Sequence, residues 1–149
     1  MRTRFLLLAL VISLAALAAA PAPTGFRSLS WGSRVPAGLK KLSGPTSDGT
    51  SMYVPVSGRK LEPLLGVQIA EEAYSFTQGK FYSGSAWSDG RGNFETAKAT
   101  LTSAYGQPTF SNPSLELYKW KWPGSKVEVH LYYEARFART TVTFVNDAI

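Results

Sequence analysis

The chain has 149 residues, with 16 Lys and Arg, 10 Asp and Glu, one His and no Cys. Without Cys there is no disulfide framework, thiolate metal site or thiol nucleophile, and a single His cannot build a multi-histidine zinc site. Aromatic residues make up 13% and charged residues 17%, which excludes a disordered polar chain.

Arg2 and Arg4 precede an apolar run from Phe5 to Ala20 that only Ser13 interrupts. A basic start, a short apolar stretch and closing alanines read as a secretory signal rather than a membrane span. Ala16-Leu17-Ala18 fits the small-x-small cleavage pattern, so the signal is expected over 1–18. No Cys follows it, so no bacterial lipid anchor is expected. Loss of the signal leaves 14 cations against 10 acids, a net charge of +4 spread along the chain. Lys40-Lys41 is the longest basic run, far from the dense stripe of a nucleic-acid reader. An exported chain without Cys, whose Asn112-Pro113-Ser114 is blocked as a sequon by its proline, points to a bacterial envelope or secreted protein. Residues 19–25, with Pro21 and Pro23, read as a leader, and 26–149 as a single domain.

Phe26, Leu29 and Trp31 predict a short strand. Ser33 suits a cap for a short helix over 34–42, with Val35, Leu39 and Leu42 as its apolar stripe. From Ser43 to Leu65 the chain is punctuated by Gly44-Pro45, Asp48-Gly49, Ser57-Gly58 and Pro63, with a brief strand at Met52–Val54. Glu72–Phe76 and Lys80–Trp87 predict a hairpin across Thr77-Gln78-Gly79. Glu71 and Glu72 then face opposite ways, which argues against a paired-carboxylate site. Ser88–Gly92 reads as a loop. Asn93 suits a cap for the principal helix over 93–105, whose inward face is Phe94, Ala97, Leu101, Ala104 and Tyr105. Gly106 closes it and Pro108 blocks extension.

The last third reads as strands. Tyr118, Trp120 and Trp122 alternate with Lys119 and Lys121, and Val127, Val129, Leu131 and Tyr133 alternate with Glu128, His130, Tyr132 and Glu134. Thr140–Val145 adds a third strand with Val142 and Phe144 inward. A four-residue loop, Pro123–Lys126, pairs Trp122 with Val127, Trp120 with Val129 and Tyr118 with Leu131. That keeps the aromatic face together, as burial of one sheet face requires. The expected fold is α+β: a mainly antiparallel sheet of about five or six strands with the 93–105 helix and the short 34–42 helix packed on it.

Candidate chemistry is sparse. Trp87, Trp120 and Trp122 suit either a sugar-stacking platform or a hydrophobic core, and the alternation turns all three inward. Glu128, His130, Tyr132 and Glu134 form a row that suits an acid/base or weak metal patch, but a flat row makes no cleft. Lys119, Lys121, Arg139, Thr141 and Thr143 share that outward face. Lys119, Lys121, His130, Tyr132 and Arg139 are therefore candidates for a partner surface, against the alternative that exposed lysines merely discourage sheet aggregation. No nucleophile elbow or phosphate cradle is present.

Phe26-x4-Trp31-Gly32, Tyr74-x-Phe76-x2-Gly79-Lys80-Phe81, Phe94…Leu101…Tyr105-Gly106-x-Pro108, Trp120 and Val127-x-Val129-x-Leu131-x-Tyr133 follow one another in an order that resembles a loose group of small exported bacterial proteins and lipoproteins, mostly uncharacterised. The resemblance spans most of Phe26–Phe144 and brings no catalytic motif. Its lipoprotein members carry an anchoring Cys that this chain lacks.

The expected function is a non-enzymatic binding module, periplasmic or secreted. Its expected partner is another envelope protein or a cell-wall polymer, with no cofactor, metal, nucleic acid or membrane span. Alternatives are an inhibitor presenting Ser88–Gly92 or Ser43–Ser51 to an extracellular hydrolase, a glycan or polyanion binder using Lys119 and Lys121, and an enzyme with His130 as base.

Overall fold

A computed structural model describes residues 19–149, and the expected signal segment lies outside the described residues. The first described elements form a small hairpin of β1 (Gly25–Phe26) and β2 (Leu29–Ser30). β3 (Leu39–Ser43), β4 (Thr50–Pro55), β5 (Glu71–Thr77) and β6 (Lys80–Asp89) follow, then α1 (Arg91–Tyr105). The last third is β7 (Phe110–Asn112), β8 (Leu117–Trp122), β9 (Val127–Glu134) and β10 (Arg139–Asn146). β3 to β10 make one eight-stranded antiparallel sheet in the order β3-β4-β5-β6-β10-β9-β8-β7.

Local chemistry sets the turns. β5 and β6 are joined by Gln78-Gly79, both at positive φ (49° and 76°). Such two-residue loops match the right-handed twist of their strands. Pro123–Lys126 is the four-residue connection of β8 to β9, and it yields Trp122↔Val127, Trp120↔Val129 and Tyr118↔Leu131 as expected. β10 continues that face, with Val142 opposite Leu131 and Phe144 opposite Val129.

One face of the sheet is covered twice. α1 lies against β9 and β10 and buries Phe94, Ala97 and Leu101. The β1–β2 hairpin covers the neighbouring area: Phe26 packs on Tyr74 and Phe144 at 5.5 and 5.6 Å between ring centroids, and Trp31 stacks on Phe81 at 5.3 Å. Each fully buried side chain here, such as Trp120, Phe81, Leu101 and Leu131, contributes on the order of 2 kcal/mol by leaving water. The segment before β1 is tied to the same layer. The Trp122 and Trp31 indole N–H groups donate to the Ala20 and Pro23 carbonyls, both at 2.8 Å.

Five expectations are corrected. The sheet is larger than five or six strands, because Leu39–Ser43 and Phe110–Asn112 add β3 and β7 at its two edges. The 34–42 segment is not a helix: Pro36 and Gly38, the latter at φ 89°, interrupt it, and Leu39–Ser43 pairs with β4 instead. Ser88–Gly92 is not a loop, since β6 runs to Asp89 and α1 starts at Arg91. Gly90 is therefore the N-cap, and Asn93 sits inside the first turn, donating from Nδ2 to the Asp89 carbonyl at 2.8 Å. Ala104, expected inward, is exposed.

Candidate functional site

Among the described residues no α-helix packs on the opposite face of the sheet. Register places three rows across it: Glu71, Trp87, Thr141, Tyr132 and Leu117; then Ala73, Ser85, Thr143, His130 and Lys119; then Ser75, Ser83, Val145, Glu128 and Lys121. All five sequence-predicted surface residues, Lys119, Lys121, His130, Tyr132 and Arg139, are on this face.

Two of the three cations among them are held by neighbouring carboxylates, Lys121 by Glu128 and Arg139 by Glu71. His130 Nε2 lies 2.5 Å from Glu128 Oε2, and Lys121 Nζ lies 3.2 Å from Glu128 Oε1. Burial pushes the Glu128 carboxyl up, but the bonds from His130 and Lys121 outweigh it and hold the group below the ordinary glutamate range. Arg139 Nη1 pairs with Glu71 Oε2 at 3.5 Å, and Lys119 Nζ lies 5.8 Å from the Phe110 ring centre. The cavity beside this network is lined by Lys121, Trp122, Glu128 and Asp147, and His130 is not in its wall. Among the described residues no group of three His, Asp or Glu side chains is placed to hold a metal ion.

Trp87 corrects the expectation that all three indoles point inward. Trp120 and Trp122 do, but Trp87 stands on the open face. The cause is a β-bulge. Phe76 pairs with Phe81 and Ser75 with Ser83, so Tyr82 is an extra residue on β6. One inserted residue reverses the parity of everything after it. Phe81 therefore stays inward while Ser83, Ser85 and Trp87 turn outward. Gly84 and Ala86 take the inner positions, and the missing side chain at Gly84 leaves the space that Phe26 fills.

Beside Trp87 is a groove of about 370 Å³ that crosses the outer face toward the β3 edge. Ala73, Val54, Met52 and Leu42 floor it, and Val56 to Arg59 with Leu61 form one wall. Leu42 is 61% exposed, Val56 43% and Met52 37%. Leu42 reaches the groove through a second bulge: Lys41 pairs with Tyr53 and Ser43 with Met52, so Leu42 is the unpaired residue. Next to Trp87, Thr141 is only 2% exposed and its Oγ1 has no hydrogen-bond partner, while the neighbouring Ser85 and Thr143 hydroxyls bond each other at 2.9 Å.

A second cleft, of about 520 Å³, opens on the helix side of the same end of the sheet. Its floor holds Arg27, Glu72 and Tyr74, which sequence reading did not bring together because they lie on separate elements. Arg27 pairs with Glu72, and the Tyr74 hydroxyl donates to Glu72 Oε2 at 2.7 Å. Arg27 also donates to the Pro63 and Glu62 carbonyls at 2.9 and 2.7 Å. Burial, with the hydrogen bond to Glu72, pushes the Tyr74 phenol above its ordinary range. The polar groups of this floor satisfy one another. The cluster therefore acts as a clamp: it fixes Glu62 and Pro63, which directly follow the wall of the Trp87 groove, to the β1–β2 hairpin.

Of the two loops expected to enter an enzyme cleft, only the β3–β4 turn exists. It is compact: Thr46 N donates to the Thr50 carbonyl at 2.8 Å, and Asp48 Oδ1 accepts from Thr50 N at 3.1 Å. Among the described residues no helix is long and apolar enough to cross a membrane. No protein-family model, curated protein or solved structure matches the chain.

Proposed function

We propose that this chain is an exported, non-enzymatic binding module of a bacterial envelope, and that it takes up apolar side chains of a partner protein in the Trp87 groove. One observation carries the reading: Leu42, Met52 and Val56, all exposed large apolar side chains, converge with Trp87 on one concavity of an uncovered sheet face. Contiguous exposed apolar surface of this kind marks interaction sites, and an aromatic anchor with a polar surround is how protein interfaces are built. The groove is open along its length, which suits a protein surface as cover better than a small molecule. Export rests on the basic-then-apolar start of the sequence, and the bacterial envelope on the absence of Cys and of a usable sequon.

The Lys119 and Lys121 face is the weaker candidate for a glycan or polyanion, because Glu128 already neutralises Lys121. The test is co-purification from the native envelope with tagged variants. Met52→Asp with Val56→Asp is expected to lose the captured partner, while Lys119→Glu with Lys121→Glu keeps it. The opposite pattern, or a turnover that disappears with His130→Ala, would overturn the reading.

A further inference from the structure

β3 is the terminal strand of the sheet, and among the described residues nothing pairs with its outer edge. The Val56 N–H donates to the Gly38 carbonyl at 3.0 Å, which makes Gly38 and Val56 a hydrogen-bonded pair. Antiparallel alternation then makes Lys40 and Val54 the next such pair, so the N–H and C=O groups of Leu39 and Lys41 point away from β4. The edge thus offers free backbone groups beside the Leu42 end of the Trp87 groove.

The charges around it have one sign. Register puts Lys40 on the outer face and Lys41 on the inner face of β3, and Arg59 and Lys60 line the adjoining clefts. None of the four has an ion-pair partner among the described residues. Lys40 Nζ reaches only the Ser57 hydroxyl, at 3.2 Å, and Lys41 Nζ stands 5.8 Å from the Tyr53 ring centre. Of the nearby carboxylates, Glu72 and Glu71 are held by Arg27 and Arg139, leaving Glu62 against four cations. Edge lysines repel strands of like charge, so a second copy of this chain, which brings its own Lys40 and Lys41, is disfavoured. The same lysines attract a strand that carries carboxylates.

We infer that β3 is a docking edge for an extended acidic segment of a partner envelope protein, which adds to the sheet as a further strand and lays apolar side chains on the Leu42 end of the groove. Backbone bonds supply the pairing, and alternate side chains supply the choice of partner. The inference rests on the groove reading above, and adds to it the conformation and charge of what binds.

The probe is a short capped peptide of alternating Glu and Val with one Phe, titrated onto the full chain. Amide hydrogen exchange and tryptophan emission are followed, with Trp87→Phe identifying the Trp87 signal. Binding is expected to protect the Leu39 and Lys41 amides. A peptide with Lys in place of Glu, and the variant Lys40→Glu with Lys41→Glu, are each expected to weaken binding by about tenfold. N-methylation of alternate peptide residues, which needs no change to the protein, is expected to remove the protection. The inference is overturned if no peptide protects Leu39 and Lys41, if the protein protects them by self-association, or if phosphatidylglycerol vesicles bind and the acidic peptide does not. A Trp87 emission change without edge protection sinks the added strand and leaves the groove reading standing. Edge protection with partner capture unaffected by Met52→Asp and Val56→Asp sinks the groove reading instead.

Discussion

Arg27, Glu72 and Tyr74 show how one residue's environment determines its role. Glu72 neighbours Glu71 in sequence, yet Glu72 is 5% exposed at its side chain while Glu71 is on the open face. A buried carboxylate without a partner is costly, so removing Arg27 is expected to cost more than the pair itself contributes. Arg27→Ala should destabilise the fold by about 3 kcal/mol in urea unfolding, and Tyr74→Phe by about 1 kcal/mol. A loss from Arg27→Ala no larger than that of a typical surface substitution would show that the cluster does not clamp the hairpin. Glu128 makes a pH-dependent contribution of known sign. Its carboxyl is held below the ordinary glutamate range in the folded chain, so it stabilises the fold above that range and the contribution fades as pH falls through the depressed folded value. The stability difference between the native chain and Glu128→Gln should therefore shrink on acidification. A difference constant across those acidic values would contradict the ion-pair network.

At the scale of elements, bulges matter most. Tyr82 turns Trp87 outward and Leu42 opens the groove, each by one unpaired residue. The inner side of β6 depends on Gly84, where any Cβ would meet the Phe26 ring. Gly84→Ala is expected to cost about 2 kcal/mol by overpacking and to loosen the β1–β2 hairpin selectively. Hydrogen exchange of the Gly32 amide, which bonds to the Phe81 carbonyl at 2.8 Å, reads that loosening. Exchange at Gly32 as slow as in the native chain would show that the hairpin does not depend on the Gly84 notch.

For the whole molecule, the consequence of a single helix layer is an asymmetric sheet. The face under α1 and the hairpin is sealed, and the other is left open. Function and stability should then separate. Met52 and Val56 are both more than a third exposed, so Met52→Asp with Val56→Asp should change stability by less than about 1 kcal/mol while removing partner capture. A large loss of stability would mean that the groove belongs to the core. In contrast, substitutions under α1, such as Leu101→Ala, should cost about 3 kcal/mol and affect binding only through folding.

The sequence by itself indicated the C-terminal ribbons, the principal helix to within two residues of its start, a hairpin at Thr77–Gly79 and, given a four-residue loop at Pro123–Lys126, the pairing of Trp120 with Val129. These follow from periodicity, loop parity and turn residues, all of which act between near neighbours. It also placed Lys119, Lys121, His130, Tyr132 and Arg139 on one face, since a strand's alternation is local. Only the tertiary structure decided that Leu39–Ser43 is a strand rather than a helix, because its partner, β4, lies in a stretch with weak local signals. The same holds for Trp87. Its direction depends on a mismatch between two strands at Tyr82, a relation between distant residues that no alternation along one strand contains. The Arg27–Glu72–Tyr74 clamp and the groove it borders have the same origin: both are assembled from segments that only folding brings together.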